Sequence, residues 1–359
     1  IGKESRVNAY NLATEKLLRD IQVWEKLPQQ NLFPFQNMFV CADTLDRSLT
    51  ISAKELNQLH LGHFIENAIV QNALIQQVKS LPNIDLLIGE ELKNFSTGDN
   101  SISISTQKNH TYHGKLLVGC DGVHSRVRQL ANISHWQKSY LQSCIVGTIQ
   151  FSKPHSSTAW QRFTTNGPLG ILPLSPYHAS LAWSCNQPYA DYLLKLSHTD
   201  FLDQLAQNLH GKFGDIVDIQ NRKGFPLSAR HSNNYVAPRV ALLGDAAHSI
   251  HPLAGLGANI GLQDVITFKE LLRDAPNNQD IGQLAFLQRY QRKRKPHNSA
   301  IMQLMTTINN IYCSDHALLK LAQDFSFNSA KLSLLKKVIA NQTLWMDFFP
   351  KQTASKTNL

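Results

Sequence analysis

The stretch Val240-Ala241-Leu242-Leu243-Gly244-Asp245-Ala246-Ala247-His248-Ser249-Ile250-His251-Pro252-Leu253-Ala254-Gly255-Leu256-Gly257-Ala258-Asn259-Ile260-Gly261-Leu262-Gln263-Asp264 decides how this chain folds. Its first residues form a short, continuous apolar run, the mark of a strand buried on both faces. The strand ends on Gly-Asp, and three glycines (Gly255, Gly257, Gly261) then lead into a helix. Glycines let backbone N–H groups approach a ligand closely, and a helix amino terminus offers partial positive charge to an anionic group. The competing reading is a glycine-rich loop with a purely structural role. His248 and His251 are spaced to share a metal, but no carboxylate or cysteine completes a set with them, so no metal site is expected.

A second stretch has the same design. In Leu116-Leu117-Val118-Gly119-Cys120-Asp121-Gly122-Val123-His124-Ser125-Arg126-Val127-Arg128 a buried strand again runs into Gly-x-Asp-Gly, followed by serine and two arginines at a helix start. A carboxylate in such a turn can order ligand hydroxyls or water, while backbone amides and the side chains of Arg126 and Arg128 can hold phosphates. Alternatively, Asp121 simply caps the helix.

Around these motifs the chain changes texture twice. Apolar residues at helical spacing predict helices over 11–27 and 67–80. Strands are expected over 33–51 and in short pieces over 84–117, with a turn at Ser96-Thr97-Gly98-Asp99-Asn100. From about Trp136 to Pro238 strand-like pieces (143–151, 159–164, 169–172, 180–184) are broken by Gly and Pro, with one helix near 199–210. After Pro276 the chain reads as helical. The domain expectation is therefore a discontinuous α/β portion, 1–135 and 236–275, a mixed-sheet insertion, 136–235, and carboxyl-terminal helices, 276–359.

Composition narrows the class of protein. Hydrophobic residues at 42% and charged residues at 17% are too apolar for a disordered chain. Lys plus Arg number 35 against 26 Asp plus Glu, a net charge of +9, which favours anionic partners. The basic cluster Arg289, Arg292, Lys293, Arg294, Lys295 comes with no aromatic stacking platform, so nucleic acid is not an expected partner. The five cysteines are scattered without metal or disulfide spacing and fit a reduced, cytoplasmic chain. No apolar stretch is long enough to span a bilayer. In the tail, Leu332, Leu335, Val338 and Ile339 alternate with Lys331, Lys336 and Lys337, and Trp345, Phe348 and Phe349 follow. This pattern fits either core packing or a peripheral contact at the inner membrane.

GCDGVHSRVR and LLGDAAHSIHPLAGLGANIGLQD resemble the two downstream FAD motifs of the class A flavoprotein monooxygenases, and in particular the ubiquinone-biosynthesis hydroxylases. Arg6-Val7-Asn8-Ala9, Glu66-Asn67, Trp160-Gln161-Arg162-Phe163, Leu172-Pro173-Leu174, and Tyr290-Gln291-Arg292-Lys293-Arg294 with Asn298 agree with that family. The resemblance implies an FAD/NAD(P)-binding, Rossmann-like α/β domain with an inserted mixed-sheet substrate domain and a helical carboxyl end. It implies FAD as cofactor, NAD(P)H as reductant, and a flavin hydroperoxide that hydroxylates the ring of a polyprenyl phenol or quinol with O2. Carried over residue by residue, Asp245 and Gly244 would serve the ribityl chain, and Asp121, Gly122 and Arg126 the pyrophosphate. Gly255, Gly257, Ala258 and Asn259 would cradle the isoalloxazine, with Arg6 and Asn67 touching it. Asp121 and Asp245 should then lie on one side of the molecule. Pro252, His251, Trp160, Phe163, Pro173 and Leu174 are the expected walls of the substrate pocket.

The chain also departs from that pattern. Gly255-Leu256-Gly257 stands where the family has Gly-Gln-Gly, and Arg6-Val7-Asn8 where it has Arg-Val-Ser. No GxGxxG precedes Arg6, and the chain does not begin with Met. Two readings follow from the resemblance: a fragment of a ring hydroxylase lacking its amino-terminal adenine-binding unit, or a truncated, non-catalytic homologue acting as a partner in a ubiquinone-biosynthesis assembly.

Overall fold

The computed structural model describes residues 6–42, 48–250, 255 and 257–312. The chain opens with strand β1 (Val7–Asn11), which runs directly into helix α1 (Leu12–Asp20). Asn11 makes the junction, because its side-chain oxygen accepts from Thr14 N at 2.9 Å and caps the helix. The expected helix over 11–27 is thus shorter. Gln22 takes a left-handed φ of +58°, and the chain turns so that Trp24 is buried in a separate single turn.

Strands β2 (Pro34–Phe35), β3 (Asn37–Cys41), β4 (Ser48–Ser52) and β5 (Gly62–Glu66) follow, and then helix α2 (Asn67–Lys79), close to its expected span. The order β1-β5-β2 forms one small sheet. A second small sheet is the meander of β6 (Leu92–Thr97), β7 (Ile102–Thr106) and β8 (Thr111–Gly114). The strands expected from residue 84 begin only at Leu92; Ile84, Leu86, Leu87 and Ile88 lie outside any strand and are exposed.

Strand β9 (Leu117–Gly119) and the five-residue helix α3 (Arg126–Leu130) carry the first motif. The large sheet then follows: β10 (His135–Phe151), β11 (Thr158–Thr164), β12 (Gly167–Ser175), β13 (His178–Asn186), helices α4 (Gln187–Lys195) and α5 (His198–Leu209), and β14 (Ile216–Ser232). Beyond these come β15 (Val236–Ala237), β16 (Val240–Leu242), β17 (His248–Ser249), α6 (Gly257–Arg273) and α7 (Leu284–Tyr312). The helical reading of the carboxyl end holds for α6 and α7, while the amphipathic tail from residue 313 on lies outside the described residues.

The large sheet has eight strands in the order β17-β14-β10-β13-β12-β11-β3-β4. It draws β3 and β4 from the first third of the chain, with β3 pairing parallel to β11 and every other neighbour antiparallel. One face buries Ile145, Leu169, Leu181 and Trp183 against Leu193, Phe201 and Leu205 of α4 and α5. On the other face, Phe163 and Ala229 meet Ile250, Ile260 and, from α7, Ile301, Met302 and Met305. At roughly 25 cal/mol per Å2 of apolar surface, residues this deeply buried dominate the sheet's stability. Burial of both faces fixes the register of the central strands.

Candidate active site

Strands β9 and β16 lie side by side and parallel, Gly119 beside Leu242, and Leu243 N donates to Gly119 O at 3.0 Å. Asp121 and Asp245 therefore leave the same end of this sheet, as expected of two halves of one site. Carboxyl ends of parallel strands are where open α/β sheets bind ligands.

The two carboxylates do different work. Asp121 accepts from Ser125 Oγ at 2.6 Å, Arg126 N at 2.6 Å and Val127 N at 3.1 Å. These bonds tie the first turn of α3 to the strand end, as the capping alternative expects. What this turn leaves open is backbone: Gly122 has a φ of +78°, and a Cβ on it would meet nothing within 4 Å. Arg126 is exposed, its Nη2 donating to Lys93 O at 3.2 Å.

Asp245 makes no hydrogen bond to any described residue and is open to solvent, yet protein surrounds it. It lies in a recess. Burial there raises its carboxyl above the ordinary range, against the opposing fields of His248 and Arg6. An unpartnered carboxylate at a strand end is what a ligand bearing hydroxyl groups needs.

The recess is held from behind. His248 Nε2 lies 2.6 Å from Asp264 Oδ2, which also accepts from Gly244 N at 3.0 Å. Arg294 Nε donates to Asp264 Oδ1 at 2.7 Å, and Asn298 Nδ2 to the same oxygen at 3.2 Å. Burial raises the Asp264 carboxyl, but His248 and Arg294 outweigh it and hold it down to about 2. Tyr290 OH donates to Leu242 O at 3.0 Å. Tyr290, Arg294 and Asn298 of α7 thus anchor the Gly-Asp turn. They stood out in the sequence only as a pattern near the carboxyl end, without a role. Arg128, read in the sequence with Arg126 as one of two arginines able to hold phosphates, is here a clamp: buried, it donates to Ala246 O and to Val123 O, each at 2.8 Å, joining the two motifs.

Helix α6 packs on both the Gly244–Ala246 turn and β1. Gly255, at φ +63°, backs onto Ala9, a conformation that L side chains rarely adopt. Gly257 and Ala258 begin α6 half-buried, and a Cβ on Gly257 would meet nothing. Asn259, expected to cradle a flavin, is tied inward: its Oδ1 accepts from Asn11 N at 3.2 Å and Thr14 Oγ1 at 2.8 Å, and its Nδ2 donates to Ala9 O at 2.7 Å. It fixes the glycine loop to β1 and α1. Asn67 N donates to Arg6 O at 2.8 Å and Asn67 Oδ1 accepts from Asn8 Nδ2 at 3.2 Å, while Arg6 covers the Phe225 ring at 4.8 Å.

Next to this loop is a mainly apolar cleft lined by Tyr10, Phe35, Met38, Phe64, Trp160 and Leu172, with Asn259 at one side. Of the expected pocket walls among the described residues, only Trp160 lines it. Phe163 lies farther along the same face as Met38 and Leu172, packed against α7; Pro173 faces away from Leu172, and Leu174 packs in the same cluster as Leu172 without lining the cleft. His251 and Pro252 lie outside the described residues.

These features fit the ribityl and ring portions of FAD: a free carboxylate, open glycine backbone at two turns, and a helix start facing the same recess. They define a class A FAD-dependent aromatic monooxygenase. Comparison with known proteins agrees. The family model described as "FAD binding domain" matches residues 4–305. The rat mitochondrial ubiquinone biosynthesis monooxygenase COQ6 is 30% identical over 93% of this chain and 79% of its own length. The Escherichia coli 3-demethoxyubiquinol 3-hydroxylase is 30% identical over 82% of this chain and 75% of its own. The p-nitrophenol 4-monooxygenase of Pseudomonas putida superimposes with a TM-score of 0.75 over 96% of this chain and 89% of its own, at 14% identity, a likeness of fold. The chain belongs to the ubiquinone-hydroxylase family of flavoprotein monooxygenases. No helix among the described residues is long and apolar enough to cross a membrane.

Proposed function

We propose that this protein hydroxylates the aromatic ring of a polyprenylated ubiquinone precursor, with FAD as cofactor, O2 as co-substrate and NAD(P)H as reductant. The observation that carries the reading is the position of the apolar cleft directly against the Gly255–Ala9 contact and Asn259, beside the loop that would face the flavin ring. FAD, when bound, supplies the redox and oxygen-activating chemistry. The chain's own part is placement. Asp245 would hold ligand hydroxyls, and backbone amides at Gly122, Gly257 and Ala258 would face the anionic and polar edges of the cofactor. Phe35, Met38, Phe64 and Leu172 would hold a flat ring and exclude water.

A prenyl tail would leave the cleft toward the surface, and the net charge of +9 favours an acidic lipid surface there. The printed names of the rat and bacterial relatives support the substrate class. The test is deletion of the gene in its host, followed by mass spectrometry of prenylated phenols. Accumulation of one under-hydroxylated intermediate is expected; unchanged ubiquinone would overturn the substrate class.

A further inference from the structure

Away from the recess, three side chains that no motif joins come together. Glu15 lies on the first turn of α1, His60 in the bend before β5, and His63 on β5 itself. Glu15 Oε2 is 2.8 Å from His60 Nε2 and 3.5 Å from His63 Nδ1, and the three ligand atoms all lie within 4.8 Å of one another. We propose that Glu15, His60 and His63 form a site for a divalent first-row transition metal, Zn2+ foremost, with water completing the coordination.

Four observations carry this. First, the donor set of two imidazole nitrogens and one carboxylate oxygen is one that zinc and its neighbours take, usually with an open position for water. Second, with bonds of about 2.0–2.1 Å, tetrahedral ligands stand roughly 3.4 Å apart, so the trio needs only side-chain rotation to close on an ion. Third, His63 is 6% exposed, and its Nδ1 has no hydrogen-bond partner although it points at Glu15. A buried ring nitrogen left unpaired is costly, and a metal would satisfy it. Fourth, the trio is oriented by its surroundings. Arg19 donates to the other Glu15 oxygen, Oε1, at 2.9 Å from Nη2 and 3.2 Å from Nε, leaving Oε2 as a single-oxygen ligand. The edge of Trp24 fixes His63 at 5.0 Å between ring centroids.

The fold brings the ligands together by a narrow route. Tyr10 and Asn11 of β1 pair with His63 and Gly62 of β5, and β1 then turns into α1, which returns Glu15 to the same spot. Gly62 separates His63 from Leu61 and His60, and any Cβ there would run into the Tyr10 carbonyl. His60, with 21% of its side chain exposed, gives an ion a way in. The site lies behind β1 and β5, whose other neighbours Leu61 and Phe64 line the cleft.

The test uses the untagged full chain, titrated with ZnCl2 against a chromogenic chelator, with zinc counted after dialysis and Co2+ replacing it for its ligand-field absorption. One metal per chain and a visible Co2+ band are expected. Glu15→Gln and His63→Ala should each weaken Zn2+ binding about tenfold or more. His60→Ala, at a part-exposed position, should do the same with the fold intact by circular dichroism. His198→Ala, at an exposed His–Asp pair on another element, should bind zinc like the parent chain. Absence of stoichiometric metal from the parent chain, or unchanged affinity in His60→Ala, would overturn the site. So would loss of zinc in His198→Ala matching that in His60→Ala.

Discussion

His248 and Asp264 meet at 2.6 Å in the interior, with 3% and 0% of their side chains exposed, and the same carboxylate holds Arg294 of α7. The Gly-Asp turn and the long helix are therefore one electrostatic unit. Removing one member leaves uncompensated charge in the interior, which costs about 3–5 kcal/mol. Asp264→Ala should lose that much stability in urea denaturation. Because Asp264 is held down to about 2 in the folded state and a free carboxyl titrates near 3.9, its contribution is full above about pH 4 and is lost as pH falls through about 2.

The two aspartates at the strand ends predict opposite phenotypes. Asp245 has no internal partner, so Asp245→Ala should change stability by no more than about 0.5 kcal/mol while abolishing FAD retention. Asp121 caps α3, so Asp121→Ala should cost about 0.5–2 kcal/mol by thermal melting. Equal stability loss in both variants would contradict the division of roles.

Asn259 makes three internal hydrogen bonds and should behave as a scaffold residue. Asn259→Ala leaves Asn11 N and Ala9 O with nothing to bond, at about 1–3 kcal/mol. Denaturation curves give the stability change. Flavin absorption on the same samples would show whether the glycine loop drifts from β1.

A histidine pair gives a second pH effect. Burial holds His231 and His297 down at about 4, with His248 adding to it for His231 and Arg294 for His297. Their folded values lie below the unfolded value near 6.5, so the unfolded chain binds more protons between those limits. Melting temperature should fall as pH drops from about 6.5 to about 4, and His231→Asn should flatten part of that slope. An unchanged slope would remove His231 from the account.

The cleft can be filled without touching the recess. Leu172→Trp should eliminate hydroxylated product while flavin content stays at the level of the parent chain, read by absorbance and by mass spectrometry of product. Product formation at the parent rate would place the substrate elsewhere.

Much of this was legible in the sequence because the signals are local. The apolar run before Gly244, the helix at 67–79 and the hairpin turn at Ser96–Asn100 depend on neighbours a few residues away. Strand alternation was harder to use: Trp160 and Phe163 read alike, yet they fall on opposite faces of one strand, a matter of register that only the partner strands fix. β14 was missed because its polar, Pro226-containing stretch reads as loop, and only β10 beside it makes it a strand. Glu15, His60 and His63 gave no signal, since they are far apart along the chain until β1 pairs with β5.

The parallel pairing of β3 with β11 also bears on how the molecule comes into being. A stretch made early must wait for one made much later, and such non-local closure slows folding. Until it closes, β11 presents a bare edge open to a neighbouring chain. Cutting out residues 136–235 as a portable module would expose that same edge permanently, so the insertion cannot be transplanted without β3 and β4.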